Sequence, residues 1–529
     1  MKNFVLLWVI VIVFSGCRKE AISWDVDTLF PIMHTKMTLQ QAIPDSMIST
    51  GVHQDLNLIY NGTLIDFRLD SVISMPDTTI KDEFFLPFGS ITLLPGQNFL
   101  SDTNYTRYDL GGAQLTQLNI QSGTIELRLS SSLNEASVLE YSLPTATKNG
   151  IPFFVKENIP AGTTSNPSII VKTYDISGYN ISLTGIHNND YNIISNAYRA
   201  YIDSTGNSVI VNQGDKFVAQ TTMTGITPNY ARGYFGVHNI TESANDQVID
   251  AFQNITSGTM DLDAVSMVFK IKNDIGVDLK VNINELTGIN TKNNSTITLN
   301  SPLSNSPVNL NRANEDNGAY SNILPTHYQT ILDPSNSNIT EFVSNLPNQL
   351  KYDFDIVLNP LGNVSNSNDF IYHNTGMEIA LDAEIPFKFN ASNLVIVDTS
   401  DFDIDSTSQE EVQKIQSGFI KVYAHNWYPF DLTAQFYLLD QNATIIDSVF
   451  DTPQLIQGGT PIFGVVDDPT QSMIQAPVSP SKIDHLYEAT HIYTKVKVNS
   501  TDTGKTQIYS NYNLDIRVVG DFNYLISIK

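Results

Sequence analysis

The chain has a single cysteine, Cys17, in 529 residues, so neither a disulfide framework nor a multi-thiolate metal site can be built from it. Positive charge is scarce: 29 Lys and Arg stand against 55 Asp and Glu, for a net charge of -26. A surface of that sign repels phosphate backbones and excludes a nucleic-acid partner. Charged residues of both signs reach only 16%, and Asn, Ser, Thr and Gln carry most of the remaining polarity. No apolar run approaches the roughly 20 residues that a membrane-spanning helix needs. Helical periodicity is nearly absent too. What is present is enough apolar residue (41%, with 10% aromatic) to fill real cores, in a length that suits three or four domains.

The longest apolar run, 4–14, follows Met1-Lys2-Asn3 and ends at Ser15-Gly16-Cys17. A basic start, a short apolar stretch and small residues describe a secretory signal. With the cysteine placed last, the segment resembles the lipobox of bacterial lipoproteins, which implies cleavage before Cys17 and acylation of its thiol. Trp24 then lies only seven positions beyond Cys17, an extended reach of about 24 Å at most. The first folded element is therefore expected close to the membrane.

Along the rest of the chain, period-two alternation recurs, with strands expected at 124–129, 209–211, 279–283, 351–358, 495–498 and 514–518. Asn61-Gly62 between apolar-rich runs predicts a tight hairpin. Short helices are expected at 38–43 (ended by Pro44), 246–253, 339–344, 409–415 and 482–489. The fold class is all-β: tandem β-sandwich modules with short connecting helices.

An internal repeat supports the modules. Ile120-Gln121-Ser122-Gly123-Thr124-Ile125 is echoed by Ile255-Thr256-Ser257-Gly258-Thr259-Met260 and by Ile415-Gln416-Ser417-Gly418-Phe419-Ile420. Each copy is followed by an Asn-containing turn: Lys148-Asn149-Gly150, Lys272-Asn273-Asp274 and His425-Asn426-Trp427. Gly123, Gly258 and Gly418 are thus expected at equivalent places beside the first core strand of each module. The division expected is a signal peptide (1–16), an N-terminal β region beside the anchor (17–115), and three sandwiches (116–250, 251–410 and 411–529).

The lipobox, the Trp24-Asp25-Val26-Asp27 start, the tandem β modules and the Asn-rich acidic composition together resemble large outer-membrane lipoproteins of Bacteroidota-type bacteria. Many of these are displayed on the cell surface. The resemblance implies an outer-membrane location through a lipid anchor and names no activity.

Chemistry is sparse. The nine histidines show no metal-ligand spacing, and no nucleophile elbow or phosphate-cradling glycine loop occurs. Asp401, Asp403 and Asp405 alternate and could offer oxygens to calcium. Ser406 stands where a calcium loop needs glycine, and the same alternation suits a half-buried strand with Phe402 and Ile404 inward. Trp427 and Tyr428 sit in a turn, where they either contact a ligand or fold back on their own hairpin. No cofactor is implied. Three function classes follow. The first is a non-catalytic scaffold or accessory subunit of an outer-membrane assembly, secretion or transport complex, with a β-barrel protein as partner. The second is a glycan-binding surface lipoprotein of a polysaccharide uptake system. The third is a hydrolase with an unrecognised site.

Overall fold

The computed structural model describes residues 22–39, 43–68, 75–249, 251–252, 255–319, 321–401, 415–500 and 504–528. The chain is all-β, with antiparallel sheets throughout and short helices as connectors. Twenty-four of its described strands sort into three sandwiches of eight, and every sandwich has the same pairing order.

In the base module, strands one to eight are Ile22–Met37, Lys388–Asp401, Ile415–Asn426, Asp431–Leu439, Ile445–Ser448, Thr470–Pro477, His491–Asn499 and Leu514–Ile528. One sheet runs first–eighth–third–sixth and the other second–seventh–fourth–fifth. The middle module repeats this order with Leu56–Arg68, His238–Val248, Met267–Asn273, Leu279–Asn290, Ser295–Thr298, Thr326–Leu332, Gln349–Leu358 and Gly376–Pro386. The tip module does so with Thr78–Phe85, Asn98–Arg107, Gln114–Ser131, Ser137–Lys148, Ile151–Ile159, Ser168–Asp175, Ile193–Ile202 and Lys216–Tyr234. This is jelly-roll order, in which two interlocked sheets face each other across an apolar core.

The modules are nested rather than strung in series. The tip module occupies one continuous stretch and interrupts the middle module between its first and second strands. The middle module in turn interrupts the base module between its own first and second strands. The described residues of 17–115 therefore form no region of their own: Ile22–Met37 belongs to the base module, Ile48–Thr50 and Leu56–Arg68 to the middle, and Thr78–Phe85 and Asn98–Arg107 to the tip. Ile22 pairs with Ile528 at one end of the base module, and the chain leaves for the middle module from the other end, after Met37.

Each junction is clasped by the loop before the eighth strand. At the base–middle junction, the Leu56 amide donates to the Ile508 carbonyl (3.0 Å) and the Ile508 amide to the Phe387 carbonyl (3.0 Å). At the middle–tip junction, Asp369–Tyr372 pairs with the end of the tip's eighth strand. There Arg312 bridges Asp369 (2.8 Å) and Asp278 (2.6 Å), which gives the buried Asp369 carboxylate a charge partner.

The expected three-fold repeat does not hold as a unit: its Ser-Gly element is equivalent in two modules and its Asn turn in a different two, because Asn149-Gly150 follows the tip's fourth strand while Asn273 and Asn426 end third strands. Gly123 and Gly418 both lie in third strands, each eight residues before the buried residue that ends the strand, Ser131 or Asn426. Counting back the same distance from Asn273 gives Val265, not Gly258. Gly258 belongs to an extra strand, Ile255–Leu262, which crosses from the middle module to pair with the base module's second strand. It has φ +101°, and a Cβ there would stand 2.3 Å from the Asn393 carbonyl oxygen, so only glycine fits.

The Asn-Gly signals split. Asn149-Gly150 makes a two-residue turn with both φ values positive, as the mirror-image hairpin turn requires. Asn61-Gly62 makes none: Leu56–Arg68 runs straight through, paired along its length with Gly376–Pro386. The Tyr60 ring lies over Gly62 in the space a side chain would fill. Of the expected helices, Ile339–Ser344 and Pro480–Glu488 form, the latter capped by Ser479 Oγ accepting from the Lys482 amide at 3.2 Å. At 246–248 a strand forms instead, because cross-strand pairing with Gln349–Leu358 satisfies its backbone. The expectations at 40–42 and 409–414 lie outside the described residues.

Candidate functional site

Cys17, Asp403 and Asp405 lie outside the described residues. Asp401 ends the base module's second strand with its side chain 99% exposed and 3.5 Å from His491. Among the described residues no three His, Cys, Asp or Glu side chains converge as a metal site would need. His485 pairs instead with Asp447 at 2.9 Å.

Tyr428 is not a ligand contact. It is buried, its hydroxyl accepts from the Leu39 amide (2.9 Å) and donates to the Tyr512 carbonyl (3.1 Å), and burial pushes its pKa upward. Trp427 is half-buried against the core, its amide bonded to the Asn513 carbonyl at 3.0 Å. Both aromatics fold back on their own module because Asn426 draws the turn inward. The Asn426 side chain donates to the Phe430 (2.9 Å) and Gln457 (3.1 Å) carbonyls and accepts from the Tyr428 amide (2.9 Å).

The sandwich interiors offer little room. A cavity of about 30 Å³ lies between the base sheets beside Met37, Ile396, Phe430 and Val498, and one of about 40 Å³ lies in the middle module beside Tyr60, Phe342 and Leu381. Both are apolar and far below the several hundred Å³ of a small-molecule site.

The feature best suited to function is the outer face of the base module's first sheet. Cross-strand rows set Leu29, Asp521, Phe419 and Pro477 side by side, then Pro31, Val519, Lys421 and Gln475, then Tyr423 and Met473. Leu29 is 66% exposed, Met473 56% and Phe419 41%. Lys421 pairs with Asp521, while the single Asp515 carboxylate meets His34 (3.0 Å), Arg517 (3.6 Å) and Lys36 (3.9 Å). The Asp521 carboxylate beside Lys421 raises the ammonium pKa, so the pair stays ionised. Beyond this face, Trp24 (48% exposed) stands on the opposite side of the first strand.

The segment 22–43 thus divides. Met33, Met37, Leu39 and Ile43 complete the base and middle cores, Phe30 and Ile32 are half-buried, and Trp24, Val26 and Leu29 stay in water. Sequence reasoning missed Phe419, Tyr423 and Met473. Their signal was parity: Ile420, Val422 and Ala424 are buried, so their odd-numbered neighbours face out.

No family model and no curated protein matches the chain. Solved structures similar to it include a protein of Parabacteroides distasonis inferred to be secreted, 13% identical, covering 54% of this chain and 88% of that one with a TM-score of 0.26. Others are Broad Bean Stain Virus (11% identity, 61% and 93% covered, TM-score 0.18) and an archaeal virus structure described for its triple jelly-roll fold (8% identity, 85% and 89% covered, TM-score 0.11). TM-scores this low establish neither a shared fold nor a shared function.

Proposed function

We propose that the chain is a non-catalytic outer-membrane lipoprotein, held at the cell surface by acylated Cys17, that serves as an accessory subunit of an outer-membrane complex. The observation that carries this reading is the base module's outer face, which begins within a dozen residues of Cys17. It presents Leu29, Phe419, Tyr423 and Met473 beside the Lys421–Asp521 ion pair and the cluster of Arg517, Lys36 and His34 around Asp515. Aromatic, Met and Arg side chains are enriched in protein–protein interface cores. An anionic lipid surface is a poor alternative partner for a chain of net charge -26. A reach of about 24 Å from Cys17 to Trp24 would hold the base module near the membrane surface, where the rims of barrel proteins lie.

The test is affinity purification of a tagged mature chain from detergent-extracted membranes, followed by mass spectrometry. A β-barrel protein recovered in stoichiometric amount supports the reading. Recovery of the lipoprotein alone opposes it, as does a Cys17→Ala chain that remains in the outer-membrane fraction.

A further inference from the structure

On the tip module, the sheet of Asn98–Arg107, Ile193–Ile202, Ser137–Lys148 and Ile151–Ile159 shows an open outer face. Its side chains stand in cross-strand rows. One row reads Thr103, Ala197, Ser142, Phe154, and the next reads Ser101, Arg199, Glu140, Lys156. The small side chains of Thr103, Ala197 and Ser142 floor a shallow trough. Tyr105, 72% exposed, stands along one side, and Phe154, 57% exposed, closes one end.

Arg199 and Lys156 line the other side and are held in place from beneath. Arg199 Nε donates to Asn98 Oδ1 at 3.0 Å and its Nη1 to Glu140 at 3.4 Å. The Tyr201 ring lies 5.3 Å from the Arg199 guanidinium and 5.7 Å from Lys156 Nζ, and its hydroxyl donates to Glu140 at 3.1 Å. Both cations are 53% exposed while Glu140 is only 20% exposed, so positive charge stands outward and the carboxylate lies below it. Glu140 already accepts from Arg199 and Tyr201, with Lys156 3.9 Å away. Arg199 keeps its second terminal nitrogen for another partner.

We propose that this trough binds an acidic polysaccharide, a glycan whose sugars carry carboxylates. Exposed aromatic rings offer flat apolar faces for sugar C–H groups. The hydroxyls of Ser101, Thr103 and Ser142 offer donors and acceptors for sugar hydroxyls. The remaining Arg199 terminal nitrogen can donate a charge-assisted hydrogen bond to a carboxylate, with the point-charge ammonium of Lys156 beside it. On this face Arg199 and Lys156 stand outward over Glu140, with Asp203 the next carboxylate near Lys156, so it is the open Arg199 nitrogen rather than net charge that selects a carboxylate-bearing ligand. Along the trough, the row from Thr103 to Phe154 crosses four strands, roughly 14 Å, enough for two or three sugar rings. The inference is independent of the docking role proposed for the base module.

The experiment is affinity gel electrophoresis of the purified chain in gels containing polygalacturonate, a neutral polysaccharide such as dextran, or polyglutamate. Retardation by polygalacturonate alone is expected, with apparent affinity at least tenfold weaker in Arg199→Ala and in Phe154→Ala. Lys81→Ala, which removes one cation from the opposite sheet, should bind as the parent does. Phe154 and Arg199 are exposed, so thermal unfolding of these variants should match the parent and confirm that binding, not folding, was lost. Three outcomes overturn the proposal: no retardation by polygalacturonate, equal retardation by dextran or polyglutamate, or undiminished binding by the two trough variants.

Discussion

Met37 stands directly across from Leu514, joining the first strand of the base module to its last over nearly the whole length of the chain. Both are buried, so the base core depends on two segments that only the finished fold brings together. Leu514→Ala should destabilise the protein by about 2–5 kcal/mol, the range for emptying a buried leucine site. Limited proteolysis would locate the loss, with new cleavage appearing within 388–528 while the tip module stays intact.

Asn273 and Asn426 close the same turn in different modules. Asn273 donates to the Val277 (3.0 Å) and Asn311 (3.1 Å) carbonyls and accepts from the Ile275 amide (3.1 Å), matching Asn426 bond for bond. Asn426→Ala strands two carbonyls and an amide in a buried setting, for an expected loss of about 2–4 kcal/mol in denaturant unfolding. Asn426→Asp should be at least as damaging, because a carboxylate cannot donate to either carbonyl.

Asp82 makes a prediction about pH. Burial, and then the charge of Asp102, raise its pKa above the ordinary aspartate value, and its Oδ2 is buried without a hydrogen-bond partner. A raised acid binds its proton more tightly in the folded chain than in the unfolded one. Its ionisation therefore opposes folding at neutral pH, and the penalty fades as pH falls through the folded pKa. Asp82→Asn should match or exceed the parent in stability at pH 7, with the gap narrowing toward pH 4. A gap that stays constant across unfolding curves at several pH values would contradict this assignment.

Charge placed on the base face separates docking from folding. Leu29→Asp and Met473→Asp alter exposed positions and should leave unfolding free energy within about 0.5 kcal/mol of the parent. The same variants should lose a co-purifying barrel partner. Retention of that partner by both would move the contact elsewhere on the molecule.

The architecture was legible in part, and the division has a physical basis. Alternation reports that a segment has a wet face and a dry one, which was enough for an all-β fold built of sandwich-sized modules. It does not report which strand pairs with which, so the separation of Ile22–Met37 from its partner Leu514–Ile528 was invisible. Asn-Gly was a sound signal at 149–150 and a false one at 61–62, where continuous pairing outweighed local turn preference. Tyr428 lies in a turn, where sequence alone leaves ligand contact and folding back on the hairpin both open. Its hydroxyl found two buried backbone partners that no local pattern announces. The tip trough was hidden because its residues come from four strands, each ordinary alone.

Nesting also sets a timetable for folding. A chain synthesised or exported from its N-terminus releases 22–37 first, and that strand waits for 514–528 before it can pair. At about 5–20 residues per second the wait is roughly 25–100 s. The tip module, continuous from Thr78 to Tyr234, can close while the rest is still emerging, the middle module follows once Pro386 is out, and the base module closes last. Until then the apolar side of the first strand, with Met33, Met37 and Leu39, has no sheet to cover it. A holding chaperone that binds extended apolar segments would find its substrate there, and a chain truncated after residue 386 would keep that need permanently.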